Sequence, residues 1–265
     1  MSTPVFMKLF LCILTLFICT ACTKKDAFQP KPVGVIPKPK VDTAKVEIPK
    51  PDTLKTDTMV APVITGKTYL ALGDSYTIGE SVSAEESYPY QLVKDLNKYN
   101  LKFNEPKIVA QTGWTTSALK YGISIMPLSQ KYDVVTLLIG VNNQYRGLSP
   151  TEYRIEFVEL LNTAIKYADG KKTHVFVLSI PDWGVTPFGT EANKTMKISM
   201  EIDAFNKINK EETLKINVAY LDITTESRSA LNDRSLIAVD GLHPSARMYA
   251  DWVFMLSPEV QKVFK

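Results

Sequence analysis

Cysteine and histidine are scarce in this chain of 265 residues, and their scarcity excludes several kinds of chemistry. The three cysteines, Cys12, Cys19 and Cys22, all lie close to the N-terminus, so no disulfide, thiolate nucleophile or cysteine metal site is expected in the rest of the sequence. The two histidines are His174 and His243, and neither belongs to a His/Asp/Glu cluster with metal-ligand spacing. We therefore expect no metal and no other cofactor, and a chemistry based on oxygen, nitrogen and carboxylate groups.

Two well-known site motifs and a strong charge are also missing. The sequence has no Gly-x4-Gly-Lys-Ser/Thr loop for a phosphate, and it has no Gly-x-Ser-x-Gly elbow, which argues against an α/β-hydrolase. The formal net charge is only +3, and much of the lysine lies in the N-terminal region. Because nucleic-acid binding needs a concentrated basic surface, we expect no nucleic-acid partner.

The N-terminal apolar run is too short to span a membrane. It covers 13 residues, 9–21, whereas a spanning helix needs about 20 apolar residues and the core of a secretory signal about 7–15. The small residues before Cys22 resemble a bacterial lipobox, in which the cysteine is lipidated, although Cys19 stands where leucine is usual. We expect residues 1–22 to be an export signal that leaves a lipidated Cys22 as the mature N-terminus. Secretion without lipid and an uncleaved anchor are the alternatives.

Residues 23–66 have the composition of a tether. They repeat a Pro-Lys-Pro triplet three times among Val, Asp, Thr and Lys, and they contain hardly any aromatic residues. Closely spaced prolines favour extended polyproline II, and so polar a segment cannot bury enough surface to fold. We expect a passive spacer, or alternatively a binding role for the triplet, between a membrane anchor at Cys22 and one folded domain at 67–265. The predicted location is the cell envelope.

Short apolar runs alternate with longer periodic segments in the folded region. Five runs rich in β-branched or large apolar residues predict strands, at 68–72, 107–110, 134–139, 174–179 and 218–221. Four periodic segments predict helices, at 88–99, 149–168, 190–215 and 244–262. The second of these opens with Ser149-Pro150 and has Glu152 three residues after the serine, which combines a capping box with proline at the first helical position.

The repeated strand-then-helix order predicts the architecture. It indicates a mostly parallel five-stranded sheet with helices on both faces, a three-layer α/β/α domain. Ligands of such sheets bind at the carboxyl ends of the strands. Ser75, Gly113 and Asn142 each follow a predicted strand by a few residues, so we expect all three at this edge of the sheet.

Two short motifs that lie far apart in the sequence predict the chemistry. Gly73-Asp74-Ser75 follows the first strand, and Asp240 and His243 lie three residues apart near the C-terminus. A serine is a weak nucleophile at neutral pH and needs a base that is itself held by a third group. Since one helix-like turn brings residues three apart to the same side, Asp240 can hold His243 beside Ser75. The pattern indicates a serine hydrolase.

Four blocks taken together resemble the SGNH (GDSL-type) hydrolases over roughly residues 68–255. These blocks are Gly73-Asp74-Ser75, Gly113, Gly140-Val141-Asn142 and Asp240-x-x-His243, each in its strand context. The resemblance implies a flavodoxin-like fold and an esterase. In this family the nucleophile is Ser75, the general base is His243, and Asp240 holds the imidazole. The resemblance also implies an oxyanion hole made of the backbone N–H groups of Ser75 and Gly113 and the side-chain amide of Asn142.

One position departs from the family pattern, and several residues have simpler structural explanations. Asn143 stands where the family commonly has aspartate, and we expect it to support the scaffold with altered hydrogen bonds. The remaining explanations are structural roles: helix capping for Ser75, a helix start for His243, and turns for Asp240, Gly113 and Asn142. Asp74 and His174 are expected to be structural, with a direct substrate role for Asp74 and a functional role for His174 as the alternatives.

The loops give only weak information on the substrate. Trp114, Tyr145, Arg146 and Trp183 lie near the predicted site and are candidates for substrate contacts, with packing of loops as the alternative. The family includes small-ester hydrolases, carbohydrate O-deacetylases, thioesterases and lysophospholipases. We expect a monomer that acts on a small-molecule or glycan ester. The alternatives are a lipid-directed thioesterase or lysophospholipase, an acyltransferase, and a glycan-binding module without activity.

Overall fold

The computed structural model describes residues 66–128, 131–191 and 193–265. The predicted export signal, with Cys22, and the predicted tether lie outside these residues, apart from Gly66, and both stay predictions. Within the described ranges, no helix is long and apolar enough to cross a membrane.

Five parallel strands form the central sheet, as the sequence predicts. The strands are β1 (Tyr69–Gly73), β2 (Lys107–Ala110), β3 (Val134–Leu138), β4 (Val175–Leu178) and β5 (Ala219–Leu221). Each boundary lies within one residue of its predicted position. The order in the sheet is β2-β1-β3-β4-β5, and every neighbouring pair is parallel. The three central strands are buried on both faces, which explains their nearly continuous apolar sequences.

Nine α-helices lie in the described part of the chain. They are α1 (Ser75–Ile78), α2 (Tyr88–Lys98), α3 (Thr116–Ile125), α4 (Val141–Tyr145), α5 (Pro150–Tyr167), α6 (Pro187–Glu191), α7 (Thr195–Lys215), α8 (Thr224–Arg228) and α9 (Ala246–Val263). Helices α2 and α9 pack together on one face of the sheet, while α3, α5 and α7 form the layer on the other face. The fold is therefore the predicted three-layer α/β/α arrangement.

Three of the four predicted helices have nearly the predicted bounds, and the other is divided. The segment predicted as one helix at 190–215 contains α7 from Thr195 onward, and the end of the separate short helix α6 precedes it. Ser149 caps α5, because its hydroxyl accepts a hydrogen bond from the Glu152 N–H at 3.4 Å, as half of the predicted capping box requires. Helix α3 and the short helices α1, α4 and α8 were not predicted.

The missed helix α3 has a physical explanation. Its sequence contains Gly122, which disfavours a helix by about 1 kcal/mol relative to alanine. In the structure a Cβ at Gly122 would lie only 2.2 Å from the indole of Trp114, so the glycine makes room for this ring. The helix is capped by Thr115, whose hydroxyl accepts from the Ala118 N–H at 3.3 Å. Tertiary packing thus favours glycine at position 122, although glycine has a low helix propensity.

The strand order places the candidate site. The chain leaves β1 for the neighbour on one side, β2, and the next strand, β3, lies on the opposite side of β1. Such a reversal of direction opens a crevice at the carboxyl ends of the two central strands. Ser75 follows β1 and Asn142 follows β3, so both lie at this crevice.

Close packing fixes the ends of these two strands. A Cβ at Gly73 would lie 2.0 Å from Thr77 Oγ1 and 2.6 Å from the Leu138 carbonyl oxygen, so only glycine fits at the end of β1. At the end of β3, the Tyr153 hydroxyl donates to the Ile139 carbonyl at 3.0 Å and also contacts Asn209.

We predict that Tyr153→Phe lowers the free energy of unfolding by about 1–2 kcal/mol, because it leaves the buried Ile139 carbonyl without this donor. Urea unfolding of the purified protein measures the change. Tyr121→Phe is the matched control, since Tyr121 is an exposed tyrosine on α3. Equal stability of the two variants would contradict the role given to the Tyr153 hydroxyl.

Candidate active site

The turn after β1 presents Ser75 at the crevice. Asp74 caps the short helix α1, with its Oδ1 accepting from the Tyr76 N–H at 3.1 Å. Ser75 is the first residue of this helix, and the N–H groups of a first helical turn have no partner within the helix. Ser75 is only 5% exposed, so neighbouring residues cover most of its surface.

Asp240 and His243 are held together by their own loop. Asp240 Oδ1 accepts from the backbone N–H groups of Leu242 at 2.9 Å and His243 at 3.0 Å, while Oδ2 lies 2.5 Å from His243 Nδ1. Gly241, at φ +72°, allows the tight turn between them. Because Nδ1 is occupied by the carboxylate, Nε2 is the nitrogen left for the pocket.

The charge of Asp240 is strongly stabilised. Partial burial acts to raise the pKa of Asp240, but hydrogen bonds from the His243 ring, the Leu242 N–H and the Ser81 hydroxyl outweigh it and lower the pKa to about 2. The carboxylate is therefore ionised at neutral pH and can hold an imidazolium. The ring of Tyr76 packs edge-on against the His243 ring, with centroids 5.6 Å apart, and fixes the imidazole from another side.

The predicted oxyanion donors lie on the loops after β2 and β3. Gly113 has φ +80°, a conformation that favours glycine, and its carbonyl oxygen accepts from Arg146 Nη2 at 2.7 Å. The side-chain amide of Asn142 donates to the Trp114 carbonyl at 2.9 Å. Because an amide nitrogen carries two hydrogens, this bond fixes the amide plane and leaves its second hydrogen available for a ligand.

One pocket of about 230 Å³ brings these groups together. Its lining consists of Ser75, Tyr76, Thr112, Gly113, Val141, Asn142, Tyr145, Trp183, Phe188, Leu242 and His243. Asp240 lies behind His243, on the side away from the pocket. The hydrogen bonds of the described chain do not include one between the Ser75 hydroxyl and His243. Such bonds are often long in unliganded sites and tighten when substrate binds.

The structure divides the four candidates for substrate contacts into two pairs. Tyr145 and Trp183 line the pocket, with ring centroids 5.5 Å apart. Trp114 packs its ring against Gly122, and Arg146 binds the Gly113 carbonyl. These last two side chains therefore support the loop that carries Gly113.

Two other residues have structural contacts. Asn143 is 2% exposed, and it accepts from the Thr116 N–H at 3.0 Å and donates to Thr116 Oγ1 at 2.7 Å, which ties the loop after β3 to α3. His174 Nδ1 lies 2.6 Å from the Asp133 carbonyl oxygen, and its ring packs on Phe264, beside the start of β4. These contacts fit the scaffold roles expected from the sequence.

Besides the predicted site residues, the pocket is lined by Tyr76, Thr112, Val141, Phe188 and Leu242, and Ser81 contacts Asp240. Phe188 lines the pocket from α6, and its N–H donates to the Gly241 carbonyl at 3.0 Å. The hydroxyl of Ser81 donates to Asp240 Oδ2 at 2.7 Å. Ser81 follows no motif and belongs to no periodic pattern, so nothing in the sequence pointed to this contact. In the ranges that the structure describes, no group of three or more His, Cys, Asp or Glu side chains could hold a metal ion.

Asp74 is a buried carboxyl directly beside Ser75. Its burial is complete and raises the pKa of Asp74 to about 7, although backbone N–H groups of Tyr76 and Gly140 act in the opposite direction. A substantial fraction of this carboxyl therefore carries its proton at neutral pH. Its contacts with the backbone fit the structural role expected from the sequence.

Comparison with known proteins gives a consistent result. The family model described as GDSL-like lipase/acylhydrolase matches residues 71–250. No curated protein matches the chain. The solved structure of a lipase/acylhydrolase from Enterococcus faecalis is similar, with 18% identity, a TM-score of 0.59, and coverage of 74% of this chain and 96% of that chain. The acetylxylan esterase Axe2 from Geobacillus stearothermophilus has 19% identity, a TM-score of 0.59, and coverage of 74% and 94%. At these identities the two structures show a shared fold.

Asp74 gives a prediction for the pH dependence of stability. Its pKa is raised from 3.8 to about 7 in the folded protein, so between these values the folded chain keeps a proton that the unfolded chain releases. The contribution of Asp74 to the free energy of unfolding is fully present below pH ~4. It is lost as the pH rises to ~7, at roughly 1.4 kcal/mol per pH unit. Asp74→Asn removes this loss, so its free energy of unfolding relative to wild type should rise from pH 5 to pH 7.

Urea unfolding at several pH values measures this difference. Ser117→Ala, which changes an exposed residue and removes no carboxyl, is the control, and its difference from wild type should stay nearly constant over the same range. A constant difference for Asp74→Asn as well would show that the Asp74 carboxyl does not retain its proton in the fold.

Proposed function

Because the chain belongs to the GDSL-like lipase/acylhydrolase family, as an SGNH-type esterase, we propose that it cleaves carboxylic esters through an acyl intermediate on Ser75. The observation that carries this proposal is the convergence of Ser75, Gly113, Asn142 and His243 on one pocket, with Asp240 bonded to the far side of the imidazole. The proposed activity needs no cofactor.

Acylation begins with the Ser75 hydroxyl. His243 Nε2 takes the hydroxyl proton while the oxygen attacks the ester carbonyl carbon, and the carbonyl π electrons move onto its oxygen. The imidazolium that forms is stabilised by the ionised Asp240, 2.5 Å from Nδ1. When the tetrahedral intermediate collapses, the bond to the alcohol oxygen breaks and His243 gives its proton to that oxygen.

The oxyanion is held by three donors. These are the backbone N–H groups of Ser75 and Gly113 and the free hydrogen of the Asn142 amide, whose plane is fixed by the Trp114 carbonyl. Fixed donors of this kind stabilise a developing charge without reorganising, and one of them is worth about 3 kcal/mol of barrier. Deacylation repeats the sequence, with water in place of the alcohol.

The acyl side of the substrate is small in this proposal. The pocket at Ser75 measures about 230 Å³, below the range of about 300–1,000 Å³ usual for ligand pockets. It is walled by Val141, Leu242 and the aromatic rings of Trp183 and Phe188. A short acyl group such as acetyl fits this volume better than a long lipid chain.

The alcohol side extends into an adjoining pocket of about 400 Å³ that shares Tyr145, Trp183 and Phe188 with the first. Besides these rings it presents an amide, a carboxylate and two ammonium groups, from Gln144, Glu201, Lys194 and Lys197. Aromatic faces beside hydrogen-bonding groups suit the alternating apolar and hydroxyl surfaces of a sugar.

Hydrogen bonds fix Trp183, one of the three aromatic rings that the two pockets share. Trp183 Nε1 donates to Gln144 Oε1 at 2.8 Å, and Gln144 Nε2 donates to Glu201 Oε2 at 2.7 Å. The fold shared with the acetylxylan esterase Axe2 supports a carbohydrate ester as the substrate. We therefore propose O-acetyl groups on carbohydrate as the substrate class.

The proposed location follows from the N-terminal sequence. A lipidated Cys22 would attach the enzyme to a membrane of the cell envelope, and residues 23–66 would separate the catalytic domain from the lipid surface. This arrangement gives a monomeric enzyme access to glycans outside the cytoplasm.

The first functional prediction concerns the nucleophile. Ser75→Ala should lower kcat for p-nitrophenyl acetate by at least about a thousandfold, because removal of a triad serine eliminates the covalent route. Ser117→Ala, an exposed serine on α3, should leave kcat unchanged. Circular dichroism checks that both variants are folded. A folded Ser75→Ala variant with wild-type activity would overturn the proposed mechanism.

The second functional prediction concerns Tyr145, an aromatic side chain that lines both pockets. Tyr145→Ala should raise KM for an acetylated xylo-oligosaccharide by about three- to tenfold, the value expected for one aromatic contact. The same variant should change kcat/KM for ethyl acetate less than it changes kcat/KM for the oligosaccharide, since ethanol is too small to occupy the adjoining pocket and loses only the contact in the Ser75 pocket. Release of acetic acid at constant pH measures both rates. Equal effects on the two esters would contradict a sugar site at Tyr145, and Tyr121→Ala serves as the control.

A further inference from the structure

Ser81 lies on a loop that is anchored to the nucleophile itself. The carbonyl oxygen of Ser75 accepts hydrogen bonds from the Gly79 N–H at 3.2 Å and from the Glu80 N–H at 3.1 Å. The side chain of Glu80 also contacts Thr112 Oγ1, beside Gly113. The backbone that leads into Ser81 is therefore fixed to the turn of the nucleophile and to the loop that carries Gly113.

The hydroxyl of Ser81 reaches from this loop to the acid of the site. It donates to Asp240 Oδ2 at 2.7 Å, and the same oxygen bonds His243 Nδ1. Across the part of the chain that the structure describes, this is the one hydrogen bond between residues 74–83 and residues 237–245. A displacement of Ser75 relative to Asp240 must therefore stretch or break it.

The backbone at Ser81 is unfavourable for serine. Its φ is +68°, in the left-handed region where glycine is favoured and where most L residues are strained. Six described non-glycine residues have a positive φ, and Ser81 is the one among them whose side chain contacts a residue of the site. The contact that glycine would lose here is the hydrogen bond to Asp240.

We propose that Ser81 is a positioning residue for the reaction, whose hydroxyl holds the Asp240 carboxylate in the orientation that aligns His243 with Ser75. The proposal rests on the proposed function, since alignment matters only if His243 acts as the base for Ser75. The Asp240 side chain is 30% exposed, so a second protein donor to Oδ2 limits how far the carboxylate can turn toward solvent. Without Ser81, the His243 ring is the remaining protein donor to that oxygen.

A pair of substitutions separates positioning from a plain structural role. Ser81→Gly relieves the backbone strain but removes the hydroxyl, so its Tm should equal or exceed that of wild type while kcat falls by about three- to tenfold, the factor expected for one hydrogen bond. KM should stay within about twofold, because Ser81 does not line the pocket. Ser81→Thr keeps the hydroxyl but puts a branched Cβ at positive φ, so its Tm should fall while kcat stays within about twofold.

Asn217→Gly is the matched control for the backbone change. Asn217 is exposed at φ +58°, distant in sequence from every residue of the site, and its variant should keep the wild-type kcat. A Ser81→Gly variant with wild-type kcat, measured beside an inactive Ser75→Ala variant, would overturn the positioning role and leave the serine mechanism standing. Activity that persists in Ser75→Ala would overturn both.

Discussion

The contact between Asp240 and His243 is the interaction on which the rest of the site depends. The carboxylate oxygen lies 2.5 Å from Nδ1, and the other carboxylate oxygen is held by two N–H groups of the same short loop. Those backbone bonds fix the carboxylate before any ligand arrives. The hydrogen bond from the His243 ring, together with the backbone bonds and the Ser81 hydroxyl, keeps the pKa of Asp240 low against the effect of partial burial. The nitrogen that faces the pocket is therefore set by local geometry, and the ring of Tyr76 limits how far the imidazole can turn.

The sheet sets the position of Ser75 relative to His243, which the loop that carries Asp240 and His243 cannot fix alone. The reversal of strand order at β1 and β3 brings three loops to one crevice, and packed residues such as Gly73 and Tyr153 hold the strand ends. Aromatic side chains then close the crevice on the side of α6. Polar groups that are held in place by a rigid scaffold favour electrostatic catalysis, because they need little reorganisation during the reaction.

The sequence was sufficient to predict the sheet and the reactive groups, but it did not predict the residues that hold those groups in place. Continuous apolar runs predict β1 to β5 because strands buried on both faces leave that signature. Helix α3 escaped prediction, since Gly122 is chosen by the packing of Trp114 and not by helix propensity. Ser81 could not be found either, because its contact with Asp240 joins residues 159 positions apart and depends on a backbone angle that no pattern reveals.

The account is tested most directly by covalent labelling. A fluorophosphonate reacts with a serine only where a base and an oxyanion hole act on it together, so the site of modification reports the assembled constellation. After treatment of the native protein, peptide mass spectrometry should locate a single adduct on Ser75. An adduct on another serine, or no adduct while the protein hydrolyses esters, would contradict the central role of Ser75.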